Sequence, residues 1–203
     1  MVQKCPRPRH KKGDPDEQKV FKEQVRSLWD DPTVDLWFQD ETGFWADPPP
    51  YRVWTKKGTV PILPRINSHA RCNVMGAARP LDGETFTLIT SHGDSRMLQI
   101  FIREMQPYLD PDKRTVMVLD NARFHKAKSI DWGNIEPLYL PAYSPELNPI
   151  EELWLQMKKN YFKAWIPSKT EPLDERVFMA MKFFDQHPEK VQSICAMSAY
   201  FRE

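Results

Sequence analysis

Several things that would point to a specialised environment are scarce or missing in this chain. Cysteine is the first: Cys5, Cys72 and Cys195 are the whole complement, far apart and without metal-type spacing. That excludes a disulfide framework and a cysteine zinc site, and it fits a reducing compartment. No apolar stretch approaches the length needed to span a bilayer, and the N-terminus lacks the apolar core of a signal peptide. The chain is therefore expected to be soluble and intracellular. Charge of one sign is also missing, since 29 basic and 28 acidic residues leave a net charge of +1. Near-neutrality does not exclude nucleic acid as a partner, because an acidic site can offset a basic rim. Internal repeats and low-complexity tracts are absent. What remains is 203 residues, 40% hydrophobic and 12% aromatic, enough for one globular domain with a small helical addition.

The N-terminal segment Lys4-Cys5-Pro6-Arg7-Pro8-Arg9-His10-Lys11-Lys12-Gly13 is basic and poor in core residues. It reads as a tail or linker, either a solubilising arm or one that touches phosphates. Asp14 to Trp29 carries Val20, Phe21, Val25 and Leu28 at helical spacing. Strands are then expected at Val34–Gln39, Tyr51–Thr55, Arg71–Ala77 and Thr85–Thr90, with Asp82-Gly83 as a turn before the last. Ser95 to Leu109 reads as a buried helix capped by Asp94 or Ser95. Thr115–Leu119 is a short, unbroken apolar run of the kind covered on both faces by helices, and Ile135–Leu140 is another strand. Helices follow at Pro149 to about Trp165, Leu173 to Phe184, and Glu189 to Phe201. The order predicts a layered α/β or α+β fold with a mixed sheet.

Three acidic residues occupy matching places in this plan. Asp40 ends the first strand and shares parity with Val34, Leu36 and Phe38, so it is expected on their face. Asp120 ends the apolar run Thr115–Leu119. Each could be a turn former, the commoner role of aspartate at a strand end. Together they gain weight, because open α/β sheets build sites outside the carboxyl ends of their strands. Glu151 falls at a helix start where Asn148 suits the cap and Pro149 the first position, so a capping-box role is equally open to it. The apolar stripe Ile150, Leu153, Trp154, Met157 and Tyr161 puts Glu151 on its flank and Glu152 nearly opposite. Glu151 is therefore the candidate ligand and Glu152 a solvated charge. Three carboxylates at one sheet edge are hard oxygen ligands for Mg²⁺ or Mn²⁺, which drive phosphoryl transfer on nucleic acids.

Four stretches together resemble the catalytic domain of the IS630/Tc1/mariner superfamily of transposases, specifically the bacterial IS630 type. They are Phe38-Gln39-Asp40-Glu41-Thr42-Gly43-Phe44, Trp54-Thr55-Lys56-Lys57-Gly58, Val118-Leu119-Asp120-Asn121-Ala122-Arg123-Phe124-His125, and Leu140 through Trp154 with its Ser144-Pro145-Glu146-Leu147-Asn148-Pro149-Ile150-Glu151 core. The resemblance spans roughly Val34 to Tyr161. It implies an RNase H-like fold with a mixed central sheet flanked by helices, an Asp-Asp-Glu triad at Asp40, Asp120 and Glu151, and cut-and-paste transposition into TA dinucleotides. It further implies two Mg²⁺ ions, replaceable by Mn²⁺ and about 4 Å apart, in a bacterial, nucleoid-associated protein. The partners implied are terminal inverted repeats, a TA-containing target and a second copy of the chain in the DNA complex. Family members usually begin with helix-turn-helix modules. Here the expected division is a basic linker and helix over 1–33, the catalytic domain over 34–165, and a helical extension of that domain over 166–203. The reader is expected from a separate upstream frame, or else the chain is a truncated copy. An inactive remnant and a nuclease for RNA–DNA hybrids are the competing functions.

Basic and aromatic residues supply candidate DNA contacts. Arg52, Trp54, Lys56 and Lys57 cluster near an expected hairpin and suit backbone contact, or form a solvated tip with Trp54 in the core. Asn121 and His125 follow Asp120 and could orient phosphate, although a lone histidine is more often structural. Lys126, Lys128, Lys158, Lys159 and Lys163 could add a basic rim, though Lys158 and Lys159 fit equally as ordinary charges at a helix C-terminus; Glu41 could support the site, but a solvated charge is its commoner role.

Overall fold

The structure is a computed structural model that describes residues 12–47, 54–60, 62, 69–163, 165–197 and 200. It opens with helix α1 (Pro15–Trp29), started by Asp14, whose carboxylate accepts from the backbone N–H groups of Asp16 and Glu17. Phe21 and Val25 are buried, whereas Val20, one residue out of phase with them, is 65% exposed. Five strands follow: β1 (Val34–Trp45), β2 (Arg71–Arg79), β3 (Glu84–Thr90), β4 (Arg114–Leu119) and β5 (Ile135–Tyr139). They form one mixed sheet in the order β3-β2-β1-β4-β5. Helices α2 (Ser95–Met105), α3 (Ile150–Met157), α4 (Leu173–Asp185) and α5 (Pro188–Ile194) complete the chain.

The sheet changes character along β1. Its parallel pairing with β4 runs from Val34↔Arg114 to Phe38↔Val118. Its antiparallel pairing with β2 begins at Phe38↔Ala78 and continues to Trp45↔Arg71. Beyond Phe38, β1 therefore has β2 on one side and an opening on the other, where β4 has ended. Asp40 sits beside that opening. It does not end its strand, as the apolar run had suggested, because β2 carries β1 on for five more residues. Asp120 does follow the last residue of β4.

Helices cover both faces. Phe21 and Val25 of α1 pack with Val34, Leu36 and Phe38 of β1, Val116 and Val118 of β4, and Tyr200. On the same side, α3, α4 and α5 close over Phe44 and over Cys72, Val74 and Ala78 of β2. On the opposite side, Leu98, Phe101, Ile102 and Met105 of α2 pack on Trp37, Met75, Ala77 and Met117. Even-numbered residues of β1 thus face α1 and α3, and odd-numbered ones face α2, as the pleat requires. Gly83 turns β2 into β3 at φ +81°, where the Pro188 carbonyl leaves no room for a Cβ.

Some elements differ from the sequence-based expectation. The strand expected over Tyr51–Thr55 lies mostly outside the described residues, and the described Trp54 and Thr55 belong to no strand. The helix expected to run to Trp165 is α-helical only to Met157 and then widens into a π turn over Lys158–Phe162. The last helix, expected over Glu189 to Phe201, ends at Ile194, and residues 198, 199 and 201 of that span lie outside the described residues. Asn148 does not cap α3 with its side chain; it donates instead to the Gln39 carbonyl at 3.0 Å. No helix among the described residues is long and apolar enough to cross a membrane.

Candidate active site

Asp40, Asp120 and Glu151 line one cleft of about 470 Å³, floored by the opening in the sheet and walled by the loop 140–148. Each arrives by a different route. Asp40 projects from β1 on the α3 side, Asp120 follows β4, and Glu151 stands in the first turn of α3. Glu152, one position on, is exposed and does not line the cleft. Among the described residues, no group of three His, Cys, Asp or Glu side chains forms a ready-made metal cage. The carboxylates surround an open, solvent-reachable space.

Their electrostatics differ. Burial, then the nearby charges of Glu151 and Glu41, push the Asp40 carboxyl up to about 8. Partial desolvation also raises Glu151, opposed by the Lys158 ammonium. Asp120 is held below the ordinary range, chiefly by a hydrogen bond from His125. That imidazole is 1% exposed. Its Nδ1 lies 2.7 Å from Asp120 Oδ1 and its Nε2 lies 3.1 Å from Glu41 Oε1. Burial works against its charge, but the hydrogen bonds to Asp120 and Glu41 outweigh it and lift the ring to about 9. Glu41 stands on the odd, α2-facing side of β1 and also accepts from Gln39 Nε2 at 2.7 Å. His125 is thus held inside the protein against both Asp120 and Glu41, the structural role that the sequence had left open for it.

The α3 segment is tied to β1 at successive positions. Asn148 donates to the carbonyl of Gln39, Trp154 Nε1 donates to Asp40 Oδ2 at 3.1 Å, and Lys158 Nζ donates to Thr42 Oγ1 at 2.6 Å. Lys158 also lies 5.6 Å from the centre of the Phe44 ring, and desolvation lowers the pKa of its ammonium. At the cleft rim Tyr143 adopts φ 57°, the one positive value among the described non-glycine residues. Such backbone outliers concentrate at functional sites.

The other expected DNA contacts are dispersed. Asn121 lines the cleft and donates to the Leu140 carbonyl at 3.3 Å. Lys126 stands over the Tyr139 ring at 4.8 Å. Trp54 is fully exposed, so it is not a core residue, and Lys56 and Lys57 are exposed beside a turn closed by Thr59 N–H to Lys56 C=O. None of these three lines the cleft. Lys128 and Lys159 are exposed, and Arg52 lies outside the described residues.

The family model described as DDE superfamily endonuclease matches residues 35–172, from the start of β1 to the residues before α4. The chain belongs to this family. A relative from Sinorhizobium fredii (strain NBRC 101917 / NGR234), called "Uncharacterized protein y4pE/y4sA", is 30% identical over 124 residues, covering 60% of this chain and 90% of its own. Among solved structures, the Mos1 strand transfer complex matches all of this chain and 67% of its own, with 16% identity and a TM-score of 0.63. The Mos1 mariner paired end complex with Mn matches with 15% identity, 100% and 68% coverage, and a TM-score of 0.61. The isolated catalytic domain of Mos1 mariner transposase matches 93% of this chain and 97% of its own, at 16% identity and a TM-score of 0.50. These likenesses show an RNase H-like fold for this DDE endonuclease.

Sequence reasoning overlooked Trp154 as a polar partner, having placed it only in the apolar stripe of α3. Gly76 was overlooked as well, although a glycine inside a strand signals close approach of another group. In the structure that group is the Trp154 indole.

Proposed function

We propose that this chain is the catalytic subunit or fragment of a cut-and-paste DNA transposase, with Asp40, Asp120 and Glu151 holding divalent metal ions for strand cleavage and strand transfer. The observation that supports this best is the meeting of three carboxylates, from distant parts of the chain, on one cleft. The donor set suits Mg²⁺ or Mn²⁺, being anionic and all oxygen. Two of its members have raised pKa values, first from burial and then from neighbouring carboxylates, a cost to the charged forms that a bound cation would offset. The Mos1 paired end complexes with Mn and with Mg support the same choice of ion. Bound there, one or two such ions would supply Lewis acidity, activating the attacking oxygen and stabilising the departing one.

The chain's own residues do the positioning. His125 fixes Asp120, Trp154 fixes Asp40, and the tie of Lys158 to Thr42 holds the α3 end against β1. Asn121 at the cleft wall is placed to meet a phosphate or sugar of the entering strand. Lys126, Lys158 and the exposed Trp54, Lys56 and Lys57 extend the contact along the DNA. The DNA partners are terminal inverted repeats and a TA-containing target, joined within a dimer, as the family type suggests.

The test is Mn²⁺- or Mg²⁺-dependent nicking of supercoiled plasmid by the wild type and by Asp120→Asn. The variant should lose at least about a thousandfold in rate, several kcal/mol of transition-state stabilisation, with an unchanged circular dichroism spectrum. Metal-dependent nicking retained by Asp120→Asn would sink the assignment. A wild type that binds DNA but never cuts it would leave a silent binding remnant.

A further inference from the structure

Past the cleft, β1 runs on with β2 along one side and an open edge on the other, and this end carries a cation that folding leaves unpaired. Arg79, Arg103, Arg114 and Arg176 each pair with an Asp or Glu side chain. Arg71 is exposed and makes no ion pair among the described residues. Its guanidinium carbon lies 4.9 Å from the centre of the Trp45 ring, which is itself 47% exposed. The ladder sets Arg71 opposite Trp45 and Asn73 opposite Gly43. The arginine side chain leans back over Gly43, where a Cβ would stand 2.5 Å from Arg71 Nε and 2.8 Å from Nη2. A glycine at 43 is therefore what lets the guanidinium sit beside the ring. Lys158, tied to Thr42 two positions past Asp40, feels the same charge. Desolvation is the first cause of its lowered pKa, Glu151 and Asp40 oppose it, and Arg71 adds to it. An anion within reach of both cations would relieve that repulsion.

We infer that Arg71, held over Trp45 in the space that Gly43 leaves, binds a backbone phosphate of the DNA strand that passes from the cleft along the open edge of β1. This rests on the DNA-cleaving reading proposed above. Gly43 and Trp45 stand three and five residues beyond Asp40, about 10 and 17 Å at the rise of a strand. At about 3.4 Å per nucleotide, the phosphate lies about three to five nucleotides from the one being cleaved. A guanidinium suits the task, because it stacks on an aromatic ring while its N–H fork stays free to grip phosphate oxygens. Stacking also fixes the side chain before DNA arrives, so less freedom is lost on binding. Such a contact positions the strand without reading its sequence.

The experiment measures binding of the full chain to a short fluorescent duplex over a range of NaCl concentrations, for wild type, Arg71→Gln, Arg71→Lys and Gly43→Ala. Arg71→Gln should weaken binding about tenfold at low salt. It should also reduce the slope of log affinity against log salt by about 0.9, the share of one phosphate contact. Arg71→Lys keeps the charge, so its slope should match the wild type while affinity falls several-fold with the lost stack. Gly43→Ala should behave likewise, because its methyl displaces only the end of a flexible side chain. A purely structural arginine would move the urea midpoint and leave the slope alone, so an unchanged slope in folded Arg71→Gln overturns the inference. A second readout locates the contact. In ¹⁵N-labelled protein the indole signal of Trp45, identified by its loss in Trp45→Phe, should shift when DNA binds the wild type and stay in place in Arg71→Gln. A Trp45 signal that DNA never moves overturns the inference. A wild type that binds no duplex overturns it together with the reading it rests on, whereas an unchanged slope beside intact metal-dependent nicking overturns this inference alone.

Discussion

Asp35 and Asp40 lie five residues apart on one strand, and the two ends of β1 treat them in opposite ways. Asp35 has a side chain 1% exposed, paired with Arg79 and with Lys113 Nζ at 3.0 Å. Arg79 is held in turn by Asp82 and Glu84 and lies 5.1 Å from the centre of the Trp37 ring. Asp40 is also largely enclosed, but its side-chain hydrogen bond comes from the neutral Trp154 indole, and its carboxyl is pushed up to about 8 by burial and then by Glu151 and Glu41. One end of the strand pairs its acid with cations; the other sets its acid beside further carboxylates, with the Lys158 ammonium also in electrostatic reach. Folding alone favours the first arrangement. The second costs stability unless a proton or a bound cation offsets the charge, and that is why the open end of the sheet reads as the site.

Removing the buried charge at the paired end should cost the most. Asp35→Asn leaves Lys113 without its buried partner, although Arg79 keeps Asp82 and Glu84. A loss of about 3 kcal/mol is expected in urea unfolding, the low end of the range for broken buried pairs. Metal affinity should stay as it was.

At the open end the sign reverses. Asp40 has a folded pKa of about 8 against an ordinary 3.8, so the folded state holds the proton more tightly than the unfolded one. Its cost to stability is absent below about pH 4, grows as pH rises, and is complete above about pH 8. Asp40→Asn removes that cost while leaving Trp154 an acceptor. Metal-free variant protein should therefore be more stable than wild type by about 1–2 kcal/mol at pH 8, with the gap closing near pH 4. Urea titrations at the two pH values decide it; equal stabilities at pH 8 would break the contrast between the two aspartates.

The smallest effect sharpens the border of the site. Glu152→Gln should change stability by less than about 0.5 kcal/mol and leave Mn²⁺ affinity alone. Glu151→Gln, on the cleft side of the same helical turn, should weaken Mn²⁺ binding by about tenfold or more.

Much of this plan was legible in the residues. The parity of Val34, Leu36, Phe38 and Asp40 gave the face, and the stripe through Ile150, Leu153, Trp154 and Met157 separated Glu151 from Glu152. The unbroken run at Thr115–Leu119 marked a strand buried on both sides, and β4 is one. What was not legible depends on tertiary pairing. Asp40 looked like a strand end because local sequence cannot show that β2 extends β1 where β4 stops. Asn148 looked like a helix cap because its alternative partner, the Gln39 carbonyl, lies 109 residues away in sequence. For His125 a phosphate-orienting role and a structural one both stayed open, because its second acceptor, Glu41, comes from the far face of the sheet, 84 residues distant. The widening after Met157 carries no proline or glycine to announce it.

The measurement closest to the central claim is an Mn²⁺ titration of the purified chain beside an Asp40→Asn/Asp120→Asn double variant. Saturable binding by the wild type, lost in the double variant while its fold persists, is the predicted result. Equal, weak binding by both would contradict the account, because the three carboxylates would then share a cleft without forming a metal site.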